Sequence, residues 1–195
     1  MREWVVGRNP VYEVLQARRR QVFRLVVAEG SQEKGRFLEI VQICADRKVP
    51  IERSPRHRLD SLGINHQGVA LECSGYPYGT LPDILDQAAL HKEPPFLLIL
   101  DTMQDPQNLG TLLRTAEIIG IHGVLLPLRH TATVTPAVVS ASSGASEHLL
   151  IAQANLAQSI AVLKQAGLWI IGLEARSGEL TPEEIRLDGP LALVV

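Results

Sequence analysis

This chain has little to offer redox chemistry, membrane insertion or aromatic stacking. Its 195 residues include two cysteines, Cys44 and Cys73, each inside an apolar run and neither in a C-x-x-C spacing. That excludes a disulfide framework and points away from a zinc site, so both are expected in the core and no metal is expected. No apolar run reaches the ~18 residues a membrane-spanning helix needs, and MREWVVGRNP at the start has no signal-peptide apolar core. A cytoplasmic protein without membrane contact is the expectation. Aromatics make up 4%, and Phe23 and Phe37 fall within periodic core patterns, so no aromatic RNA-stacking signature is visible. There is no G-x-G-x-x-G after a strand, no G-x-x-x-x-G-K-S/T and no G-x-S-x-G, which disfavours a dinucleotide site, a P-loop and a hydrolase elbow.

What is present is ordinary globular composition, 46% hydrophobic and 21% charged, enough for one large domain or two small ones. The net charge of -2 conceals an asymmetry. Residues 1–75 hold 13 Lys and Arg against 9 Asp and Glu, net +4; the remainder holds 6 against 12, net -6. A basic front half suits a module that meets a polyanion, although an excess this small also fits ordinary solvated surface.

Asn9 and Pro10 open a short helix with Val11, Val14 and Leu15 on one face and Arg18, Arg19 and Arg20 at its end. The arginines are candidate phosphate contacts, or simply complement the helix dipole. A strand follows over 22–28, then a helix over 33–48 with the stripe Phe37, Val41, Cys44 and Ala45. Next come a short strand at 49–52, an exposed basic segment with Arg53, Arg56, His57 and Arg58, a turn at His66-Gln67-Gly68 and a strand over 69–73. Arg56, Arg58 and His66 are candidate RNA contacts, although a turn histidine before a strand is more often merely exposed. Residues 1–75 thus form a small α/β domain, and 76–95, rich in proline and glycine, a linker with a helical turn or two after Pro82.

From 96 onward, strands at 96–100, 124–126, 148–151, 168–173 and 191–195 alternate with helices at 109–119, 135–143, 155–166 and 181–186. Unbroken apolar strands in regular alternation predict a parallel sheet covered on both faces, with ligands beyond the carboxyl ends of its strands. Loop 102–107 leaves the first strand at that end, with Asn108 placed to cap the next helix. At 100° per residue, Leu109, Leu112, Leu113 and Ala116 share one face while Arg114 points elsewhere. It either pairs with Glu117 on the surface or lines a cleft completed by another element or subunit.

DPQNLGTLLRTAEIIG, followed by GVLLP and SSGASEHL, resembles the SpoU-type RNA 2'-O-ribose methyltransferases of the SPOUT superfamily. VVGRNPVYEVL and HQGVAL in the front half are similar to that family's small substrate-binding domain, especially in the branch that modifies 23S ribosomal RNA as guanosine-2'-O-methyltransferases. The resemblance implies a small N-terminal substrate-binding domain and, over 96–195, a SPOUT-type methyltransferase domain. It implies methyl transfer from S-adenosylmethionine to a ribose 2'-hydroxyl, with Arg114 as the catalytic arginine and Asn108 as the motif asparagine. It also implies a homodimer and an RNA partner, ribosomal rather than transfer RNA. The family's later Gly-x-Glu and Ser/Asn motifs would follow Val195, so the chain is expected to stop short of the C-terminal knot and most of the cofactor pocket. Gly172 and Leu173 are the cofactor contacts expected within it. A non-catalytic RNA-binding protein and a small-molecule-binding α/β protein stand as alternatives.

Overall fold

The structure, a computed structural model, describes residues 1–32, 34–173 and 187–195. The expected helix at 181–186 lies outside the described residues.

The described elements are β1 (Arg2–Val6), α1 (Arg8–Ala17), β2 (Val22–Ala28), α2 (Arg36–Asp46), β3 (Ile51–Ser54), α3 (Arg56–Asp60), β4 (Val69–Ser74), α4 (Leu81–His91), β5 (Phe96–Ile99), α5 (Pro106–Ile118), β6 (Gly123–Pro127), α6 (Pro136–Ala141), β7 (Ile151–Ala154), α7 (Leu156–Gln165), β8 (Trp169–Gly172) and β9 (Leu191–Val194). They form two compact units that are not continuous in sequence. The first gathers 1–77, 105–115 and 133–148; the second gathers 78–104, 116–132 and 149–195.

The first unit is built on a four-stranded sheet of order β1-β4-β2-β3, antiparallel except where β2 runs parallel to β3. Strand alternation sends Val26, Ala28 and Ala70 to one face, where Leu59 of α3 covers them with Trp4, Val6 and Leu62 around the edge. Helices α1 and α2 pack on each other and bury Val11, Val14, Leu15, Phe37, Ile40 and Cys44. The α2 stripe therefore runs through Ile40, with Val41 half-buried and Ala45 exposed. The shift is one position, because Ile40 and Cys44 stand four apart on the face that Phe37 begins.

The second unit holds an all-parallel five-stranded sheet of order β7-β6-β5-β9-β8, as the apolar strands predict. The chain enters at the central strand β5, steps outward through β6 and β7, and fills the other side with β8 and β9. The order reverses between β5 and β9, and ligands of open parallel sheets sit beyond the carboxyl ends at such a point. Ile84, Leu97, Ile99, Leu125, Ala152, Leu163, Leu168 and Ala192 form the core. Burying each larger aliphatic side chain contributes roughly 1.5–3 kcal/mol before entropy is charged. A capping box starts α4, with the Thr80 hydroxyl accepting from Asp83 N–H and the Asp83 carboxylate accepting from Thr80 N–H. Asn155 caps α7, accepting from Gln158 N–H at 3.1 Å.

Candidate RNA-modifying site

Helix α5 carries the two residues singled out as catalytic. It starts one turn earlier than predicted, and its cap is Asp105 rather than Asn108: the Asp105 carboxylate accepts from Gln107 N–H at 3.3 Å and from Asn108 N–H at 3.0 Å. Proline at 106 suits the first helical position, where an N–H would be unpaired, and so favours the earlier start. Asn108 lies inside the first turn with its amide side chain exposed.

Leu109, Leu113 and Ala116 are buried and Leu112 half-buried, which turns Arg114 outward as the periodicity predicts. Arg114 makes no hydrogen bond or ion pair among the described residues, with Glu117 or otherwise. The Thr111 and Thr115 hydroxyls beside it donate to the carbonyls of Gln107 and Thr111, four residues back. That leaves the guanidinium as the unsatisfied cation on this stretch. Asn108 and Arg114, six residues apart, point about 120° from each other around the helix, so the helix alone does not converge them.

Gly110 explains why α5 can pack so closely. A Cβ there would lie 2.4 Å from Ala141 Cβ and 2.9 Å from Ser142 N, so only glycine admits the end of α6 against α5. Nothing in the sequence pattern distinguished this close approach from an ordinary helical glycine.

In the second unit, the loops leaving β5 and β6 are joined at one carbonyl. Met103 O accepts from Thr131 Oγ1 at 2.9 Å and from Ala132 N–H at 2.6 Å, with Thr102 and His130 in left-handed conformation. On the other side of the reversal point, Asp101 N–H donates to Val195 O and Leu173 N–H to Val194 O. Among the described residues, Gly172 and Leu173 are exposed and no atom lies within 4 Å of a Cβ on Gly172, so those residues leave the carboxyl end of β8 uncovered. The sequence predicts loop 102–107 at the site only as a whole, and Thr131 escaped the sequence reading because its loop carries no motif.

The front-half candidates separate into available and occupied groups. Arg18 and Arg56 are exposed, and Arg58 is bound to Glu52 and approaches Ser54 Oγ. Arg20 is a correction: its side chain has no exposed surface and is committed to Glu147 and Glu3, so no phosphate can reach it. Burial alone would disfavour its charge, but the hydrogen-bonded Glu147 and Glu3 carboxylates raise its pKa above the ordinary arginine value. His66 is a second correction. It is buried, Nε2 lying 2.9 Å from Asp60 Oδ1 while Nδ1 accepts from Gly68 N–H, which ties the turn together. Arg19, half-buried, donates to Tyr76 Oη and to the carbonyls of Glu147 and Pro77. Two cations the sequence reading passed over lie on the α1–α2 surface: Arg8 over Phe37 at 5.3 Å and Arg36 over Tyr12 at 3.8 Å.

Both cysteines are buried as expected, and burial pushes each thiol up to about 11, far from a nucleophilic thiolate. Among the described residues one group has metal-ligand spacing, His91, Glu93 and His122. His122 Nδ1 accepts from Phe96 N–H at 3.1 Å, so the ring proton sits on Nε2 and donates to Glu93 at 3.1 Å. A cation at Nε2 would displace that proton, and the arrangement is a hydrogen bond rather than a ligand set. The adjoining pocket of about 500 Å³ touches Phe96 and Leu191 at the amino ends of their strands, opposite to where such sheets carry ligands.

Against this geometry, residues 95–195 match the family model described as SpoU rRNA Methylase family, and residues 4–79 match RNA 2'-O ribose methyltransferase substrate binding. The chain belongs to the SpoU rRNA methylase family. A Bacillus subtilis member named as a TrmH family tRNA/rRNA methyltransferase, YacO, is 36% identical over 197 residues, covering 99% of this chain and 77% of its own. A Mycolicibacterium vanbaalenii protein named as an uncharacterized tRNA/rRNA methyltransferase is 40% identical over 196 residues, and this chain spans 62% of its length. Among solved structures, the AdoMet-bound rRNA methyltransferase of Sinorhizobium meliloti superposes with a TM-score of 0.77 at 22% identity, over 99% of this chain and 69% of that one. The SpoU methyltransferase AviRb of Streptomyces viridochromogenes, in complex with AdoMet, gives 0.78 at 17% identity over 100% and 72%. At these identities the superpositions show the shared SpoU fold. No described helix is long and apolar enough to cross a membrane.

Proposed function

We propose that this SpoU-family chain takes part in methyl transfer to a ribose 2'-hydroxyl of RNA, ribosomal RNA in preference to transfer RNA, within a cytoplasmic homodimer. Residues 1–75 serve as the substrate-binding domain, joined through 76–95 to the methyltransferase domain over 96–195. The observation that carries the reading is Arg114: a guanidinium held outward on the Asp-Pro-Gln-Asn-Leu-Gly helix with no partner of its own among the described residues.

S-adenosylmethionine supplies the electrophilic methyl group when bound, and the backbone at Gly172 and Leu173, left uncovered by the described residues, fits one wall of its site. The chain's own contribution is electrostatic. A 2'-hydroxyl becomes nucleophilic as its proton passes to solvent water, and the developing oxyanion needs a fixed positive charge. Arginine stays protonated in ordinary sites, so Arg114 acts by binding the adjacent phosphate and stabilising that oxyanion rather than by removing the proton. Asn108, exposed in the first turn of α5, orients the substrate loop. Arg18 and Arg56 offer phosphate contacts from the front half, while Arg58, Arg36 and Arg8 would first have to exchange Glu52, Glu39 and the Gln67 carbonyl for a phosphate.

The test uses full-length protein, labelled S-adenosylmethionine and separate pools of ribosomal and transfer RNA. Arg114→Ala is expected to lower turnover by about 10²–10³-fold while leaving cofactor affinity, read by calorimetry, within twofold. Unchanged turnover rejects Arg114, and wild-type protein that transfers no methyl group to either pool rejects the function.

A further inference from the structure

The first unit contains a buried charge pair that the reaction chemistry does not use. The Arg20 and Glu147 side chains are 0% and 1% exposed and meet as two parallel hydrogen bonds, Nε to Oε2 at 2.9 Å and Nη2 to Oε1 at 2.7 Å. Arg20 Nη1 then reaches Glu3 Oε2 at 2.9 Å and Ser74 O at 3.1 Å. Arg19 takes the Glu147 carbonyl at 3.2 Å and Tyr76 Oη takes Ser146 O at 3.2 Å. The front half thus grips residues 146 and 147 by both side chain and main chain, across a separation of 127 residues.

The grip continues towards α5 without slack. Ser142 Oγ and Ser146 Oγ are 3.2 Å apart, and Ser146 N–H donates to Ser142 Oγ at 3.3 Å. Gly144, with φ of 92°, sits where a Cβ would be 2.6 Å from Glu13 Cβ of α1. Ala141 and Ser142 press against Gly110, one helical turn before Arg114. Each step is a short polar contact or an approach that no side chain larger than glycine allows.

A buried ion pair is weak evidence of a gain in stability, since a well-packed apolar pair of similar volume often does as well or better. What the bidentate fork does supply is orientation, because two parallel bonds fix a direction as well as a distance. We propose that Arg20 and Glu147 are positioning residues: through the Ser142–Glu147 segment they hold the Arg114 helix in fixed register with the substrate-binding front half. Bound RNA and Arg114 then move as one body, and the pair acts on turnover without touching substrate. This rests on the function proposed above.

The decisive variant removes both charges at once, Arg20→Met with Glu147→Leu in the full-length protein, since either alone would strand a buried charge. A pair that serves only stability leaves this double variant folded and fully active. A positioning pair leaves it folded, with RNA and cofactor affinities within twofold of wild type, but with kcat lowered about 10- to 100-fold and faster amide exchange over 109–115. Glu147→Gln, which keeps the shape and part of the hydrogen bonding, is expected between the two and stands in if the double variant does not fold. Wild-type kcat in whichever variant folds overturns the proposal, as does a loss accounted for by weaker RNA binding. If the wild-type protein itself transfers no methyl group, the functional reading fails, and the exchange measurement alone decides the coupling: unchanged protection over 109–115 refutes it.

Discussion

At Gly110 a single hydrogen in place of a methyl group decides whether α5 can lie against α6. The would-be Cβ, 2.4 Å from Ala141 Cβ, also meets the backbone at Ala141 C and Ser142 N, so the neighbour cannot swing away as a long side chain would. Gly110→Ala ordinarily favours a helix by roughly 0.5–1 kcal/mol. Here overpacking, typically about 1–3 kcal/mol, outweighs it. Gly110→Ala is therefore expected to lower the urea midpoint and reduce methyl transfer, whereas Gly120→Ala, with none of the described residues within 4 Å but φ of 75°, tests backbone strain. A raised midpoint for Gly110→Ala would show that α5 and α6 are looser than the structure has them. The same scale separates front-half arginines: Arg18 and Arg56 face solvent while Arg20 is spent on Glu147, although the three have identical chemistry in the sequence.

At the scale of elements, α5 is set by its cap and its stripe. Asp105 satisfies two of the first N–H groups, places a negative charge at the positive end of the helix dipole, and precedes a proline that suits the first position. Asp105→Ala should cost about 1 kcal/mol, read as a lower thermal midpoint, and should fray the first turn, where Asn108 sits. Asp105→Asn, whose single carboxamide oxygen accepts one of the two bonds, should recover part of the loss; no recovery would mean that charge, not capping, is what Asp105 provides. The stripe Leu109, Leu113 and Ala116 followed from 3.6-residue periodicity, and the cap was misplaced by three residues because both Asp105 and Asn108 are good cap residues and periodicity does not choose between them.

For the whole molecule, charge and burial predict a stability plateau with two edges. On the acid side, burial would raise the Glu72 pKa, but its hydrogen bonds and charge contacts with Arg24 and Arg2 outweigh that and hold it below the usual range; Thr80 holds Asp83 low. Folded-state values below unfolded ones mean stability that is present above the ordinary carboxylate range and is lost as pH falls through the lowered values. On the alkaline side, burial lifts Cys44 and Cys73 to about 11 and Tyr76 to about 12. Their contribution is complete below the ordinary values of 9.0 and 10.0 and disappears as pH rises through the folded ones. Urea midpoints measured from pH 3 to 11 should show both edges, the acid one becoming shallower in Glu72→Gln. An acid limb identical in that variant would remove Glu72 from the account.

The sequence by itself determined the family, the parallel sheet and the outward turn of Arg114. These depend on local spacing: apolar runs that read as buried strands, a 3.6-residue stripe, and a motif in which proline, asparagine, glycine and arginine fall at fixed offsets. Only the tertiary structure decided which charges are free. Arg20 and His66 look like surface cations in the sequence because their partners, Glu147 at one and Asp60 with Gly68 N–H at the other, are brought to them by folding. It also decided that residues 105–115 and 133–148 pack with the front half, because close approach at Gly110 and Gly144 is a relation between segments far apart in the chain.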